Sequence, residues 1–223
     1  MGILITIDGL DASGKETQSK LLCEALRAHG KRVRLLSFPM YGEQSAVPVE
    51  MYLSGALGGD PEDTNAYAAS SFFSVDRYIS FRTDWCADLS DPDTVVVTNR
   101  YTTANAVHQL SKLPREQWEE FLAWLWNFEF DRLGLPRPDC ILYLEMRPDI
   151  SRRLLASRSA ETGRAQDIHE RSCDHLERSY EAALYASETL GWHKISCYSG
   201  DDPRPIPDIH AEIMEVLAPY LAS

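Results

Sequence analysis

Strand and helix patterns alternate from one end of the 223-residue chain to the other. This predicts an α/β fold, a five-stranded parallel sheet with helices on both faces in three layers. Two observations carry the prediction. Five short apolar or β-branched runs are bounded by turn residues, and helical periodicity fills the gaps between them. The runs VVVT and ILYL are apolar without alternation, as strands covered on both faces require.

The first strand is read at Ile3 to Asp8, followed by a helix from Lys15 to His29 that Gly30 closes. The second strand is Arg32 to Ser37, and a long helical pattern then runs from about Thr64 to Leu89. Thr94 to Thr98 is the third strand, Arg115 to Leu133 a helix, and Cys140 to Glu145 the fourth strand. Helices at Pro148 to Ser157 and Glu170 to Leu190 precede the fifth strand, Trp192 to Cys197. The proline-rich turn Asp201 to Pro207 leads into a last helix, Ile206 to Leu221. Gly55 to Asp63 is too short for an interdomain linker, so residues 1–223 read as a single domain. The segment Ser157 to Asp167, SRSAETGRAQD, is polar and carries two arginines and a glycine. That composition suits a short lid, at about residues 157–168, closing over a ligand, the other reading being an ordinary exposed loop.

Twenty-two basic residues stand against 34 acidic ones, a net charge of −12. Nucleic-acid polymers and anionic membranes recruit basic surfaces, so neither is an expected partner. Any polyanion must be held locally. Five scattered cysteines without CxxC spacing indicate neither a disulfide framework nor a cysteine-rich zinc site, which points to reducing cytoplasm. The apolar run Ile3 to Ile7 lacks a basic leader, and no stretch approaches the roughly 18 apolar residues of a spanning helix.

GLDASGKET, Gly9 to Thr17, lies directly after the first strand and opens the first helix. It resembles the phosphate-binding loop GxxxxGK[ST], in which small residues let backbone N–H groups surround phosphate oxygens at a helix N-terminus. Gly9, Leu10, Asp11, Ala12, Ser13, Gly14, Lys15, Glu16 and Thr17 are therefore the candidate ATP-binding residues, with Lys15 reaching the β and γ phosphates. Glu16 stands where a Ser or Thr normally ligates Mg²⁺. Its carboxylate either supplies that ligand or points to solvent while water completes the shell.

With that loop in place, the chain resembles the thymidylate kinases, P-loop nucleoside monophosphate kinases that make dTDP from dTMP and ATP. The markers are ITIDGLDASGKETQ, the pair Phe38 and Pro39, FFSVDRY at Phe72 to Tyr78, NRYTTANA at Asn99 to Ala106, and GLPRPDCILYL at Gly134 to Leu144. The resemblance implies a P-loop fold, ATP and dTMP as substrates, Mg²⁺ as cofactor, and a homodimer. It implies that Asp11 faces the 3′-hydroxyl and phosphate region of the acceptor; a helix-capping Asp is the alternative. It also implies that thymine stacks on Phe73 and bonds to Arg77, with Phe38 walling the other side. Phe73 and Arg77 are four apart on one helix and so share a face. A core phenylalanine and a surface arginine paired with Asp76 or Asp84 form the other account.

Arg100 follows the third strand, where ligands bind in open α/β sheets, and is expected to clamp the acceptor phosphate. Asn105, His108 and Gln109 are candidates for the same pocket. The family normally has Asp where this chain has Asn99. That change removes one carboxylate and Glu16 adds another, so the two departures are expected to compensate. Ala12 occupies the position at which some relatives carry a catalytic arginine, which leaves Arg158 or Arg164 of the lid as the catalytic cation, with Arg153 a lesser candidate. The segment FPMYGEQS lacks the arginine many relatives have after FP. Two alternatives stay open: a kinase for another deoxynucleotide or for a nucleoside, and a nucleotide-binding regulator without catalysis.

Two further features are read as structural. Trp118, Phe121, Trp124, Leu125 and Phe128 have helical spacing and are read as packing. His169, Cys173 and His175 lie close together in sequence, but two ligands at one helix start make a poor zinc site.

Overall fold

The computed structural model describes residues 2–162, 168–171 and 173–221, with main chain only at 158–162, 170, 171 and 173. Five parallel strands form the sheet: β1 (Ile3–Gly9), β2 (Arg32–Ser37), β3 (Thr94–Asn99), β4 (Cys140–Glu145) and β5 (His193–Ser196), in the order β2-β3-β1-β4-β5. The helices are α1 (Lys15–Ala28), α2 (Val47–Leu53), α3 (Ala66–Ser80), α4 (Thr102–His108), α5 (Trp118–Trp126), α6 (Pro148–Thr162), α7 (Ile168–Arg171), α8 (Cys173–Thr189) and α9 (Ile206–Leu221). A two-residue ribbon, β6 (Tyr198–Ser199) with β7 (Asp202–Pro203), precedes α9.

The strand pleat sorts side chains to the two faces. Ile5 and Ile7 of β1, Val95 and Val97 of β3, and Leu142 and Leu144 of β4 pack with Leu22 and Leu26 of α1 and with Ile209, Ile213 and Leu217 of α9. On the other face, Leu4 and Val96 join Leu36, Trp85, Tyr101 and Phe130, while Tyr143 meets Trp118, Phe121 and Leu125 beside Ala182, Ala183 and Ala186 of α8. Both faces are covered, which is why VVVT and ILYL do not alternate. The aromatic stripe is packing, with Trp118, Phe121 and Leu125 buried and Trp124 stacked on Phe128 at 5.2 Å.

The helices depart from the sequence reading in instructive places. The pattern at 64–89 is not one helix: α3 ends at Ser80 and a wide π turn, Phe81–Trp85, follows. That turn buries Trp85 completely, with its Nε1 donating to Ser80 Oγ at 3.1 Å. The pattern at 115–133 likewise breaks after α5 into a π turn, Asn127–Arg132. There the adjacent residues Glu129 and Phe130 are both buried. The short helix α4, TTANAVH, is buried at every position and so has no amphipathic period to detect. A loop is expected from Ser157, but α6 continues to Thr162, since no strong helix breaker occurs before Gly163. The remainder of the expected lid, residues 163–167, lies outside the described residues.

β1 sits at the centre of the sheet, and the chain passes from one side of it to the other between β3 and β4. The crevice beyond the carboxyl ends of β1, β2 and β3 is where such a sheet holds a ligand. Three segments named in the sequence meet there: the loop after Gly9, Phe38 after β2 and Arg100 after β3. Among the described residues, no helix is long and apolar enough to cross a membrane.

Candidate active site

The loop after β1 is shaped by two glycines with different duties. A Cβ on Gly9 would stand 2.5 Å from the Leu144 carbonyl oxygen and 2.6 Å from Ser13 Oγ, so the close approach of β4 excludes any side chain. Gly14 meets no such obstacle but has φ 91, a left-handed backbone that other residues adopt only at a cost. It is the N-cap of α1, and no side chain caps this helix. The N-terminus of α1 thus borders the cavity without a side-chain cap, as an anion-binding helix terminus does.

Lys15 folds back along this loop. Its Nζ donates to the carbonyls of Gly9 at 2.8 Å and Leu10 at 2.7 Å, and lies 3.8 Å from Asp11 Oδ1. The side chain is only 7% exposed yet borders a cavity of about 960 Å³. Asp11, Ala12, Gly14, Glu16 and Thr17 also line that cavity, whereas Gly9, Leu10 and Ser13 form the back of the loop. Ser13 Oγ is buried without a hydrogen-bond partner among the described residues.

Arg100 stands opposite the loop. Its backbone is left-handed, φ 66, with its N–H donating to the Ile7 carbonyl at 2.9 Å. A non-glycine residue held there stores strain on the order of 1 to 2 kcal/mol. One guanidinium nitrogen bonds to Asp11, and Nη1 donates to His108 Nε2 at 2.8 Å. Asp11 is not a helix cap. It ties the loop after β1 to the turn after β3, across the mouth of the crevice.

The far end of the cavity is built on a buried carboxylate that sequence reasoning missed. Phe73 and Arg77 share the inner face of α3, as their spacing predicts, and both border the cavity. Arg77 is 1% exposed and is paired with Glu129, not with Asp76 or Asp84. Its Nε donates to Glu129 Oε2 at 2.8 Å and its Nη1 to the Tyr101 carbonyl at 3.3 Å. Glu129 also accepts from Ser74 Oγ (2.8 Å), Thr102 Oγ1 (2.6 Å) and Asn105 Nδ2 (3.2 Å). One carboxylate thus orients both polar candidates, Arg77 and Asn105. Asp76 holds the segment after Phe38 instead, accepting from Met40 N and Ser45 Oγ, while Asp84 pairs with Arg34 on the surface.

Phe38 borders the cavity with its ring 5.9 Å from Tyr101, and a cis Phe38–Pro39 peptide follows it. His108 and Gln109 line it too. Gln109 is 1% exposed, and neither end of its amide has a partner among the described residues, so it offers the cavity an NH2 donor group and a carbonyl acceptor. Burial beside Arg100 pushes the His108 imidazole well below its usual pKa, so it is neutral and fit to accept from that arginine.

Glu16 is 58% exposed in its side chain and bonds to Lys20 at 2.7 Å, at the rim of the cavity. Asn99 also lines the cavity: its Nδ2 donates to Ser37 Oγ at 3.2 Å, and its Oδ1 is buried without a hydrogen-bond partner among the described residues. An orphaned amide oxygen and a rim carboxylate are hard oxygen donors, which fits a Mg²⁺ ion that keeps most of its water. Arg153 bonds to the Asp201 carbonyl. The side chain of Arg158 and all of Arg164 lie outside the described residues.

The family model for thymidylate kinase matches residues 7–200 of the chain. A thymidylate kinase from Mycobacterium tuberculosis is 32% identical over 194 residues, covering 85% of this chain and 87% of the relative. The human thymidylate kinase is 27% identical over 214 residues, covering 95% and 88%. Among solved structures, the thymidylate kinase of Candida albicans superposes with a TM-score of 0.69 at 19% identity, over 98% of this chain and 92% of that one, which shows a shared P-loop fold. A phosphate loop, a strand-end arginine and an anchored Phe–Arg pair occupy one crevice, and the family model spans every one of these segments: the chain belongs to the thymidylate kinase family.

Proposed function

We propose that the chain transfers the γ-phosphate of ATP to dTMP, giving dTDP and ADP, through the residues around this cavity. The observation that carries the reading is the meeting of two kinds of site in one space: a phosphate loop with Lys15 at one end and a Phe73, Arg77 and Asn105 pocket at the other. Arg100 lies between them. Phosphoryl transfer is mainly positioning and charge neutralisation, and these residues divide that work. The α1 terminus and Lys15 hold the donor phosphates. Arg100, tied to Asp11 and His108, receives the acceptor phosphate, and Asp11 sits where a sugar hydroxyl would bond.

Phe73 and Phe38 offer ring surfaces to the base, and Arg77 and Asn105 offer polar contacts to it. Mg²⁺, held by Glu16 and Asn99 with water, supplies charge neutralisation at the phosphates when bound. Arg158 or Arg164 closes over the phosphates as the catalytic cation of a lid at about residues 157–168. Replacing each by Ala should lower kcat more than it raises KM, and an unchanged kcat in both variants sinks that assignment.

The location is cytoplasmic, which the free thiols Cys23, Cys86, Cys140 and Cys197 support; burial pushes Cys140 up to about 11 and Cys197 up to about 12. The active form is a homodimer. Support comes from Val75, Tyr78 and Ile79, 37–42% exposed on the outer side of α3.

The test is ADP release with Mg-ATP against dTMP, dUMP, dCMP, dGMP and thymidine. Turnover is expected with dTMP, more slowly with dUMP because one methyl in an apolar pocket is worth only about 1 to 3 kcal/mol, and scarcely with acceptors that leave Arg77 unpaired. Preference for another acceptor overturns dTMP as substrate, and nucleotide binding without turnover indicates a regulator.

A further inference from the structure

The fold does what the sequence spacing of His169 and His175 cannot: it brings a third imidazole to them. His108 at the end of α4, His169 of α7 and His175 of α8 each offer a ring nitrogen, and the three nitrogens lie within 4.8 Å of one another. Ring centroids are 5.3 Å apart for His108 and His169, 5.8 Å for His108 and His175, and 4.4 Å for His169 and His175. All three side chains are buried, at 6%, 7% and 2% exposure. Such a cluster is either mutual packing or a ligand set, and two observations favour the second. His108 Nδ1 is buried without a hydrogen-bond partner among the described residues. His108 and His169 also line the cavity, which leaves the open side of the cluster toward solvent and substrate.

We propose that His108, His169 and His175 form a transition-metal site, for Zn²⁺ or Co²⁺, whose occupation releases Arg100 from His108. Three imidazoles suit Zn²⁺, Co²⁺, Ni²⁺ or Cu²⁺ and not Mg²⁺, so the magnesium of the phosphoryl transfer does not compete. Tetrahedral coordination at about 2.0 Å per bond places ligand nitrogens about 3.3 Å apart, a closure reached by small rotations of the three rings. A fourth position faces the cavity and takes water. Burial holds all three rings in the neutral, ligating form, His175 down to about 4. Tyr52 Oη, 2.7 Å from His169 Nε2, is placed to hold that ring from outside when Nδ1 ligates. Lys112 donates to the same phenol at 2.7 Å, and burial lowers its pKa to about 8, which eases its deprotonation to solvent when a dication binds nearby.

The coupling to Arg100 follows from proton counting. A guanidinium only donates, so its bond to His108 requires an unprotonated Nε2 and a proton on Nδ1. If the metal takes Nε2, that acceptor is lost. If it takes Nδ1, the proton moves to Nε2, and two donors face each other. Either way metal and the Arg100–His108 hydrogen bond exclude one another, so the metal loosens the residue that receives the acceptor phosphate.

The experiment titrates the full, untagged, metal-free chain with Co²⁺, without nucleotide, and follows visible d–d absorption and its loss to added Zn²⁺. One equivalent with the intensity of a tetrahedral site is expected. His175→Gln should weaken binding by about 100-fold and Tyr52→Phe by about tenfold, with circular dichroism verifying the fold, while the surface variant His29→Gln binds as the parent does. Arg100→Met should bind Co²⁺ more tightly than the parent. Absence of the band in the parent chain, or an unchanged affinity in His175→Gln, overturns the site. Unchanged or weaker affinity in Arg100→Met overturns the coupling. Since no turnover is read, neither outcome depends on the acceptor being dTMP.

Discussion

Glu129→Ala is expected to cost about 3 to 5 kcal/mol of stability, because it leaves the Arg77 guanidinium buried without its counter-charge. Ser74, Thr102 and Asn105 lose an acceptor at the same time, and the carboxylate they share is fully buried. For a domain whose total stability is about 5 to 15 kcal/mol, that is a large fraction. The thermal midpoint should fall by roughly 10 °C, at the 2 to 4 °C per kcal/mol of a domain this size. Calorimetry or urea titration checks it. A loss below about 1 kcal/mol would mean that water enters and solvates Arg77. The double variant Arg77→Met with Glu129→Leu should be far less damaged than the sum of the single ones, because removing both charges leaves nothing unpaired. Glu129→Gln, which keeps an acceptor for Ser74 and Asn105, should fall in between. In folded Glu129→Ala, acceptor KM should rise, since Arg77 and Asn105 lose their common anchor.

Lys15→Met is expected to reduce kcat by on the order of 10² to 10³ with little change in acceptor KM. The Lys15 ammonium donates to two neutral loop carbonyls and sits 3.8 Å from Asp11, which itself pairs with Arg100 at the border of the cavity. The fold therefore loses little when it goes, and the thermal midpoint should move by a few degrees at most. Steady-state kinetics at saturating acceptor separates the two effects. A kcat within tenfold of the parent would show that Lys15 does not neutralise charge developing on the transferred phosphate. Lys15→Arg should not restore activity, because the planar guanidinium cannot take the place of a compact ammonium bonded to both Gly9 and Leu10.

Much of this was legible in the chain. All five strands, α1 and α9 were readable because apolar runs and turn residues mark them within a residue or two, and the phosphate loop because small residues and a lysine follow a strand directly. What escaped reading shares one physical cause, pairing at long range. Glu129 sits in a helical pattern rich in aromatics, and only the π turn that buries it beside Phe130 brings it to Arg77, 52 residues earlier in sequence. His108 is 61 residues from His169 on a helix with no amphipathic period, so the three-imidazole cluster exists only in the folded chain. A buried acidic residue in a strongly apolar helix was the available signal for Glu129, since carboxylates are seldom buried unless paired.

The backbone of Arg100 is held left-handed, in a conformation that glycine adopts freely. Selection for heat resistance alone would therefore drift this position toward glycine and be rewarded for it, while turnover would vanish with the side chain. Directed evolution on the chain would meet its sharpest conflict at this residue, and a consensus drawn from stability would erase the arginine proposed to receive the acceptor phosphate.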